Sequence, residues 1–311
     1  MENKQLPGTA AALFSVAVWS STYISTKILV GTYTPLQISF VRFTIGLLLL
    51  MIAAPPRFKR IHALQELKTA AAGILGIFLY YFLENLATKH TYASNVSVIV
   101  TSIPLITGII GPFFFKEEKF KARYAFAFLL TIAGFLLILS QSGAAAGISA
   151  YGDILALSAA VVFALYTLVL RSLGNSGSPV ILTRKIIFYG WICITAAVLQ
   201  NGRITEIAAV FRTVHLKHFL FLGVFASGIC FTTWAVAVKN LGAVRSSQFI
   251  YLVPFITVSL SILVLHEKLT VPRAIGMFFI VSAVILSQTD MLRNGLQWKR
   301  RKDRQTEKVD G

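Results

Sequence analysis

The chain has 311 residues; 56% are hydrophobic, 13% are charged and the net charge is +17. Soluble domains carry about 25% charged residues, so most soluble folds are excluded, and so is disorder, which needs low hydrophobicity. A mean hydropathy of +0.74 calls for lipid as the solvent, and the basic excess then reads as cytoplasmic loops rather than a nucleic-acid surface.

A spanning helix needs about 20 mostly apolar residues, and ten stretches qualify in chain order. A short cytoplasmic segment, residues 1–8, precedes the first span at 9–30. That span is too long and too weakly basic at its start for a cleavable signal peptide. It carries Trp19 and Tyr23 on one helical face, and Lys27 near its end. The second span, 36–54, holds Arg42 about 9 Å inside at the helical rise. The third, 69–88, contains Glu84 within the apolar run Phe78–Leu86, with Tyr80 one turn earlier. The fourth, 93–115, brings Asn95 and Pro104, and the fifth runs over 122–140. The sixth, 152–170, brings Phe163 and Tyr166. The seventh is 181–199, and the eighth, 218–238, holds Trp234. The ninth, 243–265, holds Tyr251 and Pro254, and the tenth is 272–289. A basic tail, 290–311, closes the chain.

Orientation follows from Lys and Arg. With the N-terminus cytoplasmic, 21 of them fall on the inner side and six on the outer; 14 against six remain without the tail. This asymmetry predicts ten spans with both termini in the cytoplasm.

The sequence also repeats itself. At an offset of 150, Gly73 meets Gly223, Pro104-x-Ile-Thr107 meets Pro254-x-Ile-Thr257, and Glu117 meets Glu267. At an offset of 144, Pro35 meets Pro179 and Gly46 meets Gly190. Each half, 9–140 and 152–289, therefore has five spans. An odd number reverses the second half in the membrane, giving inverted repeats of the kind that form transporters with substrate near the repeat interface. The expected fold is an all-α integral membrane protein of ten transmembrane helices in two inverted five-helix repeats.

Glu84 has two readings. An acid within a span is expensive unless paired or facing water. As a functional group it contacts a substrate amine or carries a proton. As a structural group it pairs with Lys27 or Arg42, an arrangement favoured by two bases at comparable depth and no second acid nearby in the spans. Pro104 and Pro254 each remove a backbone donor from equivalent spans, as paired hinges for alternating access or as fixed kinks. Among catalytic signatures, the phosphate-cradling loop, His-Glu-x-x-His and Gly-x-Ser-x-Gly are all absent from the sequence, and the two cysteines, Cys193 and Cys230, form neither a disulfide framework nor a zinc spacing. The expectation is a non-enzyme with no cofactor and no metal site. Its partners are a small-molecule substrate and the lipid bilayer, with no nucleic acid and no ATPase subunit implied. An intramembrane enzyme or a channel is the alternative; the former lacks an acid/base constellation around Glu84, and the latter lacks rings of polar residues along one pore.

Several motifs in order resemble the EamA-type members of the drug/metabolite transporter superfamily. They are Trp19-Ser-Ser through Lys27, Arg42-Phe43, Ala93-Ser94 with Pro104 and Glu117, Gly152-Asp153-Ile-Leu-Ala-Leu, and Leu241-Gly-Ala243 with Ser247, Pro254 and Glu267. The resemblance covers about residues 10–290. Lys116 and His266 stand where the family has Gly before each Glu. The resemblance implies a central cavity and movement of small metabolites, often export of amino acids or related compounds, across the plasma membrane. It also implies that spans 1, 3, 6, 8 and 9 line the cavity, so Trp19, Tyr23, Tyr80, Tyr166, Trp234 and Tyr251 join Glu84 and Asn95, a polar residue near it in sequence, as the substrate-binding candidates.

Overall fold

The computed structural model describes residues 5–56, 62–90, 96, 99–117, 121–139, 150–174, 177–200, 215–265, 271–287 and 289, and among these no strand occurs. The helices are α1 (Gln5–Val30), α2 (Pro35–Ala53), α3 (Ala63–His90), α4 (Ile103–Phe114), α5 (Ala122–Leu139), α6 (Ala150–Ser172), α7 (Pro179–Gln200), α8 (Leu216–Leu241), α9 (Ala243–Ser247), α10 (Leu252–Leu265) and α11 (Val271–Ser287). Six of them, α1, α2, α3, α6, α7 and α8, are long and apolar enough to cross a bilayer on length and composition. Apolar stretches within α4, α5 and α11 are shorter.

Local chemistry sets the boundaries. Thr34 caps α2 in a capping box with Gln37, and Pro35 occupies the first turn, where its missing N–H costs nothing. At the other end of α2, Arg184 of α7 donates to the Ala54 carbonyl. The expected third span starts six residues too late, because the first turns of α3 are polar: Glu66 pairs with Lys185 of α7 and accepts from Tyr189. The expected ninth span is divided. Gly242, at φ 90°, separates α8 from α9, and a 3-10 turn at Gln248–Tyr251 separates α9 from α10. Such a positive φ suits glycine, which has no Cβ to clash.

The prolines stand just after breaks rather than at interior kinks. Pro104 sits in the first turn of α4, behind a turn at Thr101 and Ser102, and Pro254 falls in the first turn of α10 behind the 3-10 turn. A proline is tolerated in a first turn because its N–H would lack an intrahelical partner anyway. The side chain of Pro254 lies outside the described residues.

The packing follows the sequence offsets. Helix α1 packs on α8, and α3 packs on α6; α2 packs on α8, and α7 on α3; α1 packs on α10, and α6 on α4. The pairs α2–α7 and α5–α11 complete the set. Exchanging the two halves of the chain maps this pattern onto itself. The closest approaches do the same. A Cβ at Gly223 would meet the Arg42 carbonyl and Ile45, and one at Gly73 would meet the Ile186 carbonyl and Tyr189, each 144 residues on. A Cβ at Gly46 would meet the Gly223 carbonyl and Ser227; one at Gly190 would meet the Gly73 carbonyl and Ile77, each 150 back. Small residues allow this proximity in a medium where packing, not water, drives helix association. Both α3 and α8 carry a π-helical segment beside these glycines, Ile74–Leu79 and Phe221–Ile229.

Candidate functional site

A cavity lies where α1, α3, α4, α6 and α10 meet. Its volume is about 50 Å³, and it is partly open to its surroundings. A few waters fit as it stands. Helical spacing builds its walls. On α1, Trp19, Thr22, Tyr23 and Thr26 share one face; on α3, Tyr80, Tyr81, Glu84 and Thr88 share another. Arg42 enters from α2 and Phe163 from α6. The remaining walls come from equivalent positions 150 apart around the broken segments: Val100 with Ile250, and Ile103 with Val253. Trp19 and Phe163 are equivalent at the offset of 144, and their rings meet edge to face at 5.9 Å.

The polar groups are held by neighbours. The Tyr80 hydroxyl donates to Glu84 Oε1 at 3.1 Å, and the Tyr23 hydroxyl interacts with the same carboxylate. Arg42 is 2% exposed; its Nε donates to Ser227 Oγ at 3.0 Å and its Nη2 to the Tyr81 hydroxyl at 3.4 Å. The guanidinium also stands 4.3 Å from the centroid of the Tyr81 ring, within cation–π range. Arginine has five donors, so these two bonds leave others for an acceptor in the cavity. Arg42 and Glu84 line the same space and feel each other electrostatically. They form no direct ion pair, which corrects that expectation for Arg42; Arg171 with Glu117 and Lys185 with Glu66 do pair, elsewhere in the bundle. Ser227 and Tyr81 take two of the Arg42 donors and fix its orientation, while the Tyr80 hydroxyl bonds Glu84. The side chain of Lys27 lies outside the described residues.

Four of the eight expected binding residues, Trp19, Tyr23, Tyr80 and Glu84, meet in this cavity. Tyr166 and Trp234 lie behind it, 1% and 0% exposed; the Tyr166 ring stands 5.3 Å from Phe163 and the Trp234 ring 5.3 Å from Trp19. Tyr251 is elsewhere. It is buried with Ala127 and Ala283 between α5 and α11, and its hydroxyl donates to the Tyr124 carbonyl at 3.3 Å. Asn95 lies outside the described residues. Sequence reasoning passed over Tyr81 and the threonines 22, 26 and 88. The signal was present for the threonines, because Thr22 and Thr26 are three residues from Trp19 and Tyr23 and Thr88 is eight from Tyr80, while Tyr81 stands three residues before Glu84.

Six helices long and apolar enough to cross a bilayer, packed around a polar-aromatic cavity, mark a multi-pass membrane protein. The chain matches the profile of the EamA-like transporter family over residues 6–140 and 150–289, and it belongs to that family. It is 28% identical over 295 residues to the uncharacterized transporter YvbV of Bacillus subtilis, covering 92% of this chain and 94% of the relative. It is 26% identical over 250 residues to a probable terminal-alkyne amino-acid exporter of Streptantibioticus cattleyicolor, covering 78% and 80%. A solved crystal structure superposes with a TM-score of 0.71 at 19% identity, covering 91% of this chain and 96% of that one, which shows a shared fold.

Proposed function

We propose that the protein exports small zwitterionic metabolites, amino acids or related compounds, across the plasma membrane by alternating access. In this reading ten spans form two inverted five-helix repeats, with both termini cytoplasmic. The observation that carries the reading is that one base and one acid, Arg42 and Glu84, line the same aromatic cavity, walled by residues of both halves. A carboxylate suits the free donors of Arg42, an ammonium suits Glu84, and the rings bound the remaining surface. Packing that maps onto itself under the two sequence offsets supports the repeats. Similarity to the probable terminal-alkyne amino-acid exporter of Streptantibioticus cattleyicolor supports an amino-acid cargo. The lysine and arginine asymmetry supports the orientation.

The test begins with metabolite profiling of cells with and without the gene, and continues with counterflow of the accumulated compounds in proteoliposomes. Saturable exchange of zwitterions, but not of the matching amine or carboxylic acid alone, is expected. An ohmic current without exchange would establish a channel instead.

A further inference from the structure

The cavity is one-sided. It runs from the level of Trp19 towards the C-terminal ends of α1 and α3, where Thr26 and Thr88 line it. The two sequence offsets assign each wall residue a counterpart in the other half. Thr22 and Tyr23 correspond to Tyr166 and Thr167. Tyr80, Tyr81, Glu84 and Thr88 correspond to Cys230, Phe231, Trp234 and Val238. The counterparts on α8 are all 0% exposed, as is Thr167, and Tyr166 is 1% exposed. Thr22, Tyr23, Glu84 and Thr88 are all partly exposed, and Tyr80 and Tyr81, though buried, keep 6% and 5% of their surface exposed. One half of a symmetric arrangement is thus open and the other shut.

The shut half shows how it is held. The Trp19 indole N–H donates to the Ala226 carbonyl, inside the π-helical segment of α8, at 3.0 Å. Ser15 of α1 bridges to Thr233 at 2.6 Å and to the Cys230 carbonyl at 3.2 Å. Within this packed layer the Trp234 indole N–H is fully buried with no hydrogen-bond partner. Buried polar groups are nearly always partnered, so this donor marks a place that meets an acceptor in another arrangement of the same helices.

Resting on the transporter reading, we infer that Tyr166, Thr167, Cys230 and Trp234 line a second half-site, facing the opposite side of the membrane and closed in this structure. Its chemistry differs from that of the open half. Ile186 replaces Arg42, Phe231 replaces Tyr81 and Trp234 replaces Glu84. The second half-site therefore takes an apolar body and one hydrogen-bond acceptor, held by the Trp234 N–H, and supplies no ionic partner. A charged cargo is gripped through its charges from one side of the membrane only, and it leaves or enters the other side over an aromatic surface.

Cys230 makes the inference measurable, because Cys193→Ser leaves it as the single thiol in the chain. Thr88→Cys with Cys193→Ser and Cys230→Ser reports on the open half. Each variant is treated, in right-side-out cells and in inside-out vesicles, with a membrane-impermeant methanethiosulfonate. Thr88→Cys is expected to react from one face and Cys230 from the other, with rates at least tenfold apart between faces. A chain carrying both thiols gives the coupling. A bulky maleimide placed on Thr88→Cys holds the first half open and should slow modification of Cys230 at least fivefold. Cys230 unreactive from both faces, reactive from the same face as Thr88→Cys, or indifferent to the maleimide would overturn the inference. Failure of the transporter reading looks different: a continuous pore would let both positions react from both faces at once. No cargo is needed for either outcome.

Discussion

Glu84 on α3 and Trp234 on α8 occupy corresponding positions, as do Tyr80 with Cys230 and Tyr81 with Phe231. The helices around them pack alike, down to the glycine contacts of Gly73 with α7 and Gly223 with α2. The chemistry does not. On α3 an acid and two phenols meet an open cavity and Arg42; on α8 a thiol, a phenyl ring and an indole are packed out of reach of solvent. Helix pairings and glycine contacts thus follow the same sequence offsets in both halves, and polarity is assigned to one of them. Helix packing constrains small residues at contact points in both halves, whereas side chains facing the cavity are free to diverge because only the cargo tests them.

The shared part breaks most severely. A Cβ at Gly73 or Gly223 has no space, because the facing atoms are backbone carbonyls and the branch points of side chains. Gly73→Val and Gly223→Val should each reduce folded, detergent-extractable protein at least fivefold, and by similar amounts, as monitored by fluorescence-detected size exclusion. A large defect at one position only would mean that the two contacts are not equivalent.

Next comes Arg42, which belongs to both parts. It is buried, bonded to Ser227 across the halves and stacked on Tyr81. Arg42→Met leaves the Ser227 and Tyr81 hydroxyls without their donor, while Arg42→Lys keeps the charge but loses the planar fork. Both should lower counterflow of the cargo at least tenfold. Arg42→Lys should keep nearly normal folded yield, because a cation remains in the cavity beside Glu84. Full transport by Arg42→Lys would show that the charge alone is used.

Then the divergent pair itself is tested. Glu84 has hydroxyl partners rather than a direct ion pair with Arg42, so Glu84→Gln keeps the hydrogen bond from Tyr80 and should fold normally. Its counterflow should fall about tenfold, the scale of one charged contact of about 1.4 kcal/mol. Trp234→Phe removes the unpartnered donor and should fold at least as well as the parent, with transport lowered only two- to threefold. A larger defect in Trp234→Phe than in Glu84→Gln would reverse the assignment of polarity between the halves.

Much of the shared part was legible in the sequence. Gly46, Gly190, Gly73 and Gly223 already stood at the two offsets, and the prolines at 104 and 254 marked equivalent breaks, though one turn later than the breaks themselves. Hydropathy cannot place the start of α3, where Glu66 and Lys68 interrupt the apolar run and a tertiary ion pair takes over. The divergent part was only half legible. Glu84, Tyr80, Trp19 and Tyr23 stand out as polar or aromatic groups inside spans, but the side to which each helix turns depends on three-dimensional packing. Tyr251 illustrates this limit: by composition it is as good a cavity residue as Tyr23, yet the 3-10 turn before α10 swings it towards α5 and α11.

The smallest effect concerns an asymmetry away from the cavity. Glu66, Lys185 and Tyr189 join the start of α3 to α7 through an ion pair and a hydrogen bond. At the corresponding contact of α8 with α2 stand Leu216, Val41 and Ile45. The same interface is thus made once with charge and once with hydrocarbon, which indicates that its geometry does not depend on the charges. Glu66 and Lys185 are each partly accessible, so their pair contributes on the order of 0.5–1 kcal/mol. Removing one partner leaves the other half-buried and unpaired, and costs more than removing both. Glu66→Leu and Lys185→Val should each lower thermal stability in detergent by a few degrees. The double substitution, which copies the other half of the molecule, should return to within about a degree of the parent and leave transport unchanged. Additive losses in the double variant would mean that the ion pair, and not the shared helix packing, sets the position of α3 on α7.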